Sequence, residues 1–198
     1  MADPVASTIM CIRHAEKPVG EYGGVDQYGA HDPSSLIPQG WQRAGALASF
    51  FDPSDGQFSK PGIATPQFVF ASNFTPPSDG SKPQTCKPDE GDHLTKRPQE
   101  TVWPLVAKLG SRVTANYQYY IGQDENDVAV SALACDGVVL IAWEHNCIPT
   151  IVSNFPTKAG VTVPTSWPNR FDLVWVFQLE SGQYTFQEVY QGLLAGDQ

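Results

Sequence analysis

The amino-acid sequence predicts an α/β fold: a three-layer α/β/α sandwich with a mainly parallel central sheet and a C-terminal antiparallel hairpin. Short apolar, β-branched runs alternate along the chain with segments of helical period. Two of these runs, STIMCI and GVVLIAW, carry no charged residue, which is typical of parallel strands that are buried on both faces. The last two strand-like runs flank a Ser-Gly pair, which is typical of a hairpin turn. The length of 198 residues favours a single domain that spans residues 1–198.

The first half of the chain supplies two strands, one helix and two long loops. Residues 7–12 form a buried strand, and residues 67–71 (QFVFA) form a second one. Residues 40–51 (GWQRAGALASFF) place their apolar side chains on one face of a helix. Residues 17–35 are rich in Gly, Tyr and Asp and are predicted as a loop. Residues 73–96 are rich in Pro and Gly without any periodicity, so we expect a long insertion that is functional or disordered.

The second half continues the alternation of helices and strands. Pro98 is predicted to open a helix, because proline is favoured at the first helical position, and Gly110 is expected to end it. Pro104 within that span should bend the helix or lie near its start. The predicted elements are a helix at 98–109, a strand at 112–120, a helix at 126–134, a strand at 137–143, a helix at 148–155, and a hairpin of strands 171–178 and 184–190.

The charge of the chain limits its partners. Lys and Arg number 12 and Asp and Glu number 21, which gives a net charge of −9. Nucleic acids and anionic membranes bind clustered cations, so neither is an expected partner. No run of 18 apolar residues occurs, so no membrane-spanning helix is expected. A site for an anionic ligand would have to be locally cationic.

The cysteines and the first residues predict a reducing, cytoplasmic location. No CxxC or CxxH pair occurs, which argues against a structural zinc site. Cys11 and Cys147 lie in or beside apolar runs and are predicted to be buried free thiols. The opening MADPVAS has no basic leader followed by an apolar region, so no signal peptide is expected.

Two motifs follow buried strands at the point where each strand ends. Arg13 and His14 come directly after the first strand, and Glu144, His145 and Asn146 follow the strand that ends at position 143. Ligands of α/β sheets bind outside the carboxyl ends of the strands. Both histidines are therefore predicted to point into one crevice, although each one alone could be an ordinary strand-end polar residue.

A third cation joins this group at the start of a helix. Arg97 immediately precedes Pro98, so its guanidinium would add donors to the positive end of a helix dipole. Alone, Arg97 could be an ordinary solvated arginine. Together, the two arginines and two histidines predict a pocket for a phosphate group.

These segments resemble the histidine phosphatase superfamily, the phosphoglycerate-mutase-like proteins. STIMCIRHAEKP is similar to the family's Arg-His-Gly signature, with Ala15 where glycine is usual. LIPQGWQRAGALA resembles the helix that follows, and VVLIAWEHNCIP resembles the segment of the second histidine. VFASN and KRPQETVWPLV resemble the family's Ser…Arg-x-x-x-Thr segment through Ser72, Arg97 and Thr101, which a Pro-rich insertion separates here.

The resemblance implies a role for each residue of the group. His14 would attack phosphorus and form a phosphohistidine, with its other ring nitrogen held by a backbone carbonyl that the sequence does not identify. Arg13, Arg97 and His145 would bind the phosphoryl oxygens, and these charges would supply most of the catalysis. The backbone N–H of Asn146 is expected to add a donor.

The sequence offers several carboxylates as candidates for the general acid. Family members often carry a carboxylate about two dozen residues beyond the second arginine, which favours Asp124 and then Glu125, although Asp124 could equally cap a helix. Glu16 is another candidate, unless it pairs with Lys17 or Arg13. Glu144 could orient His145 or face away. The two long loops would set substrate choice, through residues that include Tyr22, Tyr28, His31, Lys87, Asp92 and Lys96.

The leading hypothesis is a phosphatase that hydrolyses small phosphate monoesters without a metal or other cofactor. A phosphoglycerate-mutase-type transfer is an alternative, as is a non-catalytic module that binds phosphate. Metal-dependent hydrolysis through the histidines and carboxylates is less favoured, because two nearby arginines would repel a cation. The sequence leaves the physiological substrate and the oligomeric state open.

Overall fold

The computed structural model describes residues 4–20, 23–76 and 82–197. Its described part forms one six-stranded sheet, in the order β3-β2-β4-β1-β5-β6. The strands are β1 (Thr8–Arg13), β2 (Phe68–Ala71), β3 (Thr114–Asn116), β4 (Val138–Trp143), β5 (Leu173–Glu180) and β6 (Gln183–Tyr190). The helices are α1 (Pro38–Phe51), α2 (Arg97–Leu109), α3 (Glu125–Leu133) and α4 (Ile148–Val152), with 3₁₀ turns at Asp92–Leu94 and Gly110–Arg112.

The pairing of the strands confirms the predicted mixed sheet. β1, β4, β2 and β3 are parallel neighbours, whereas β5 runs antiparallel to β1 and pairs with β6. The turn of the hairpin has positive φ at both central residues, 53° at Ser181 and 82° at Gly182. This is the turn geometry that matches the right-handed twist of two antiparallel strands.

Helices pack on both faces of the sheet, each pair over its own apolar cluster, as the predicted three-layer sandwich requires. On one face, α1 and α2 cover a cluster that includes Met10, Leu47, Leu105 and Leu140. On the other face, α3 and α4 pack on a larger cluster around Trp143 and Trp175. β1 lies inside the sheet with every residue buried, because its alternating side chains enter both clusters.

Some element boundaries differ from those predicted. β3 has three residues instead of the predicted 112–120, because residues 110–112 form a 3₁₀ turn and the chain leaves the sheet after Asn116. β3 is an edge strand with two exposed residues, so little burial favours a longer pairing. Helix α2 continues through Pro104 to Leu109. No helix among the described residues has the length and apolarity required to cross a membrane.

The prediction that Cys147 is a free thiol is wrong. Cys147 forms a disulfide with Cys86, with the two Cα atoms 5.4 Å apart. The bond joins the long insertion to the start of α4, across 61 residues of chain. The two cysteines lie too far apart along the chain for a short-spacing motif such as CxxC to indicate that they pair. Cys11 is a buried free thiol as predicted, and Cys135 is also free.

Candidate active site

The parallel pairing of β1 and β4 brings the two histidine motifs together. Arg13 lies opposite Trp143 in the register, and the backbone N–H of His14 donates to the carbonyl of Trp143 at 2.9 Å. The chain then leaves the sheet at the same edge on both strands. The expectation that both motifs meet at adjacent carboxyl ends therefore holds.

His14 is buried completely and is held in one tautomer. Its Nδ1 lies 2.7 Å from the carbonyl oxygen of Ala15, and because a carbonyl only accepts, Nδ1 must carry the proton. This is the backbone carbonyl that the sequence could not identify. Nε2 then holds a lone pair and has no hydrogen-bond partner among the described residues. Burial lowers the pKa of His14, and the charges of Arg13 and Arg97 lower it further against the opposing effect of Asp92, so the imidazole is neutral.

Arg13 is fixed by an aromatic ring and an amide. Its guanidinium carbon lies 4.0 Å from the ring centroid of Phe171, and Nη1 donates to Oδ1 of Asn169 at 3.2 Å. Nε is buried and has no hydrogen-bond partner in the described part of the chain. Burial lowers the pKa of Arg13 against the attraction of Glu144 and other carboxylates. A buried donor without a partner is costly, so it indicates a place for an acceptor.

Arg97 is the first residue of α2, and its side chain belongs to the same group as those of His14 and Arg13. Nη1 donates to Oδ1 of Asp92 at 2.6 Å, and Nη2 donates to the carbonyl of Pro33 at 3.2 Å. Its Nε, like that of Arg13, is buried without a partner in the described residues. The predicted pairing of two arginines near His14 is therefore present.

Thr101 links the start of α2 to the end of β1. Its hydroxyl accepts the backbone N–H of Ala15 at 2.8 Å and donates to the carbonyl of Arg97 at 2.7 Å. The residue that follows His14 and the residue that begins α2 are thus held by one side chain. This accounts for the threonine that follows the arginine in the sequence motif.

His145 is paired with the buried carboxylate of Glu144. The His145 Nδ1 and Glu144 Oε1 atoms lie 2.7 Å apart. The other oxygen of Glu144 accepts the backbone N–H of Asn146 at 2.8 Å. The donor that we expected Asn146 to offer to a ligand is therefore already used, and the side-chain amide of Asn146 donates to Asp89 at 3.0 Å.

The structure does not bring Asp124 to this group. Oδ1 of Asp124 accepts Lys82 Nζ at 2.5 Å and Oδ2 accepts the backbone N–H of Tyr120 at 2.8 Å, at the start of α3. Neither oxygen of Asp124 contacts His14 in the described ranges. Asp124 occupies the N-cap position of α3, but its side chain makes no capping hydrogen bond to that helix.

Glu125 has a structural environment as well. Its carboxylate accepts the hydroxyl of Thr85, the backbone N–H of Gly122 at 2.8 Å and the indole N–H of Trp143 at 2.9 Å. Burial raises the pKa of Glu125 against these three hydrogen bonds. All three donors are structural groups, so Glu125 ties the insertion to α3 and β4.

Glu16 pairs with neither Lys17 nor Arg13. Its Oε1 accepts two donors of Arg43, at 2.9 Å from Nε and 2.7 Å from Nη2, and Arg43 also binds Asp197. Its Oε2 is buried without a hydrogen-bond partner in the part of the chain that is described. Glu16 lines a cavity of about 590 Å³ together with Asn169 and Phe171, the residues that hold Arg13.

Asp92 lies at this site, although the sequence names it only among the loop residues that would set substrate choice. It lies in the 3₁₀ turn of the insertion and is only 2% exposed. Its Oδ2 lies 3.7 Å from Nε2 of His14 and 2.9 Å from Lys17 Nζ, while Oδ1 accepts Arg97. The sequence offered one weak signal, namely a carboxylate five residues before Arg97. Of the other loop candidates, Tyr22 lies outside the described residues.

Comparison with solved structures identifies proteins of similar fold. The chain is similar to a candidate alpha-ribazole-5'-P phosphatase from Escherichia coli, with 8% identity, a TM-score of 0.52, and coverage of 95% of this chain and 99% of that chain. It is also similar to a candidate phosphohistidine phosphatase from Agrobacterium tumefaciens (10% identity, TM-score 0.44, covering 94% and 98%). A mycobacterial glucosyl-3-phosphoglycerate phosphatase shows 12% identity and a TM-score of 0.48, with coverage of 93% and 98%. No protein-family model and no curated protein sequence matches the chain.

The first of these likenesses shows that the two chains share a fold along nearly their whole lengths. The predicted α/β fold class is therefore confirmed. At identities this low the likeness concerns the fold, so the chemistry has to be argued from the side chains of this chain.

Proposed function

We propose that this protein hydrolyses phosphate monoesters through a phosphohistidine intermediate on His14. The observation that carries the proposal is the hydrogen bond from Nδ1 of His14 to the carbonyl of Ala15. It leaves Nε2 as an unprotonated nucleophile, and the buried Nε donors of Arg13 and Arg97 lie unpartnered in the same group of residues.

The reaction has two displacements at phosphorus. Nε2 of His14 donates its electron pair to phosphorus, the bond from phosphorus to the leaving-group oxygen breaks, and that oxygen takes a proton from solvent water. Water then attacks the phosphohistidine, the N–P bond breaks, and inorganic phosphate is released with the electron pair returned to Nε2. Because little covalent help is needed beyond the nucleophile, positioning and charge supply most of the catalysis.

The cations of the site would bind the three non-bridging oxygens. Arg13 and Arg97 each have a buried Nε donor without a partner in the described residues, and Glu144 holds the imidazole of His145 as a third group. These donors are held in place before a ligand arrives, which lowers the reorganisation that the transition state requires. The cavity lined by Glu16, Asn169 and Phe171 adjoins Arg13, and we assign it to the leaving group.

The disulfide bears on where the protein works. Disulfides persist in oxidising compartments and are rare in the reducing cytoplasm. The Cys86–Cys147 bond therefore favours an oxidising location over the cytoplasmic one that the sequence predicts. The catalytic proposal does not depend on this choice.

The proposal is tested with an aryl phosphate in the presence of EDTA. Wild-type protein should turn it over, because the leaving group needs no strong acid and the residues need no metal. His14→Ala should abolish turnover, whereas His93→Ala, which removes an exposed histidine of the insertion, should retain it. Rapid quenching should trap an acid-labile, base-stable phosphoryl label on the wild type and none on His14→Ala.

A phosphate-binding module without turnover is the second candidate. The complete burial of His14 and the carboxylate beside its Nε2 favour this alternative, because both restrict access of a substrate. Saturable phosphate binding with no turnover and no label would select it. Turnover that appears only with an added divalent metal would refute both proposals.

A further inference from the structure

The carboxylate of Asp92 lies among the groups that would bind a phosphoryl ligand. One oxygen accepts the guanidinium of Arg97 at 2.6 Å. The other lies 2.9 Å from Lys17 Nζ and 3.7 Å from Nε2 of His14. A carboxylate and a phosphoryl group offer the same acceptors to arginine, so they compete for these positions.

Burial makes this competition unavoidable. His14 is 0% exposed and Asp92 is 2% exposed, so the nucleophilic nitrogen is covered rather than open to solvent. A phosphorus atom about to react must come within roughly 3–3.5 Å of Nε2. Oδ2 of Asp92 lies 3.7 Å from Nε2, in the space that the phosphoryl group would occupy, so the carboxylate has to move before phosphorus can bind there.

The segment that carries Asp92 is held on the site from several sides. Asp89 accepts Lys17 Nζ at 2.5 Å and the side-chain amide of Asn146 at 3.0 Å. The Cys86–Cys147 disulfide ties the same segment to the chain just beyond His145. Gly91, at a φ of 80°, supplies the left-handed turn that leads into Asp92.

We propose that Asp92 is an internal occupant of the phosphoryl site and determines which anions enter it. An incoming anion must replace one negative charge at Arg97, Lys17 and His14. A phosphate monoester dianion carries more charge than the carboxylate it displaces, whereas a sulfate ester or a phosphodiester carries only one. Asp92 therefore selects terminal, dianionic phosphoryl groups against monoanions. This inference rests on the proposed function.

Protonation does not relieve the competition at ordinary pH. Burial tends to raise the pKa of Asp92, but the contacts with His14, Arg97 and Lys17 hold it well below the usual range of an aspartate. The second pKa of a phosphate monoester is about 6. At pH 8 both competitors are almost fully ionised, so the discrimination depends on charge and not on the titration of Asp92.

The experiment compares Asp92→Asn with wild type and with Glu90→Gln. Asparagine keeps the shape of the side chain and removes its charge, while Glu90 is an exposed carboxylate of the same segment and controls for the loss of one charge. Calorimetry at pH 8 in EDTA measures the Kd of inorganic phosphate, a dianion, and of methyl sulfate, a monoanion, for the full chain. Asp92→Asn should bind phosphate about tenfold to a hundredfold more tightly and should gain methyl sulfate binding, whereas Glu90→Gln should stay within about twofold of wild type for both.

Unchanged or weaker phosphate binding by folded Asp92→Asn would overturn the inference. If that variant unfolds, Asp92→Ser answers the same question, with thermal melting to show that it is folded. A phosphoryl label on wild-type His14 together with unchanged phosphate affinity in the variants would refute the role of Asp92 and leave the proposed function standing. Absence of both label and phosphate binding in every variant would refute the proposed function, and the role of Asp92 with it.

Discussion

Removal of the Cys86–Cys147 disulfide should destabilise the protein by about 4 kcal/mol. In the chain-entropy description of disulfides, the stabilisation grows with the logarithm of the length of the closed loop. For the 61 residues that separate the two cysteines, it amounts to about 4 kcal/mol at room temperature. Domains are stable by only about 5–15 kcal/mol, so this one bond is a large part of the total. The destabilisation should arise in the unfolded state, because the unfolded chain gains conformational entropy when the disulfide no longer closes the loop.

Urea unfolding of wild type, Cys86→Ala/Cys147→Ala and Cys135→Ala measures this cost. The double variant should lose about 4 kcal/mol, whereas Cys135→Ala, which removes a free half-buried thiol, should lose about 1 kcal/mol or less. Thiol titration of unreduced, denatured wild type should detect Cys11 and Cys135 alone. Four reactive thiols, or a double variant within 1 kcal/mol of wild type, would show that the disulfide does not form or does not constrain the chain.

Three further predictions concern the site. Arg97→Ala should raise the Kd of phosphate or vanadate at least about tenfold, because a charged donor at a buried site is lost; unchanged affinity in a calorimetric titration would remove Arg97 from the site. Burial lowers the pKa of His14, so its imidazole should remain neutral at pH values below the ordinary histidine pKa of 6.5. As the pH is lowered, kcat/KM for an aryl phosphate should therefore begin to fall only below pH 6.5. A profile that falls at or above pH 6.5 would contradict the neutral nucleophile. Thr101→Val should lower the free energy of unfolding in urea by about 1–3 kcal/mol and lower kcat more than it raises KM, since it leaves the N–H of Ala15 unpaired. Thr150→Val, at a partly exposed position in the middle of α4, is the control, and equal effects of the two variants on kcat would argue against the link.

The sheet and the two histidine segments could be predicted because their signals are local. STIMCI and GVVLIAW are uninterrupted apolar runs, and the polar residues that end them must lie at the edge of the sheet. Parallel pairing of neighbouring strands then places His14 and His145 together. Arg97 could be predicted because the start of its helix is marked by the proline that follows.

The contacts of the insertion could not be predicted in the same way. Asp92 reaches His14, and Cys86 reaches Cys147, through a loop without periodicity, whose path depends on tertiary packing alone. The sequence favours Asp124 through its distance along the chain from Arg97, but that distance does not fix where the side chain points. Its carboxylate is held at the start of α3 by Lys82 and by the backbone N–H of Tyr120.

The single side chain that joins the end of β1 to the start of α2 restricts how this protein can adapt to different ligands. The Thr101 hydroxyl hydrogen-bonds to the backbone N–H of Ala15 and to the backbone carbonyl of Arg97, so it fixes the chain beside His14 relative to the start of α2. Variation in what this pocket accepts should therefore arise in the insertion, at exposed positions such as Glu90 and His93.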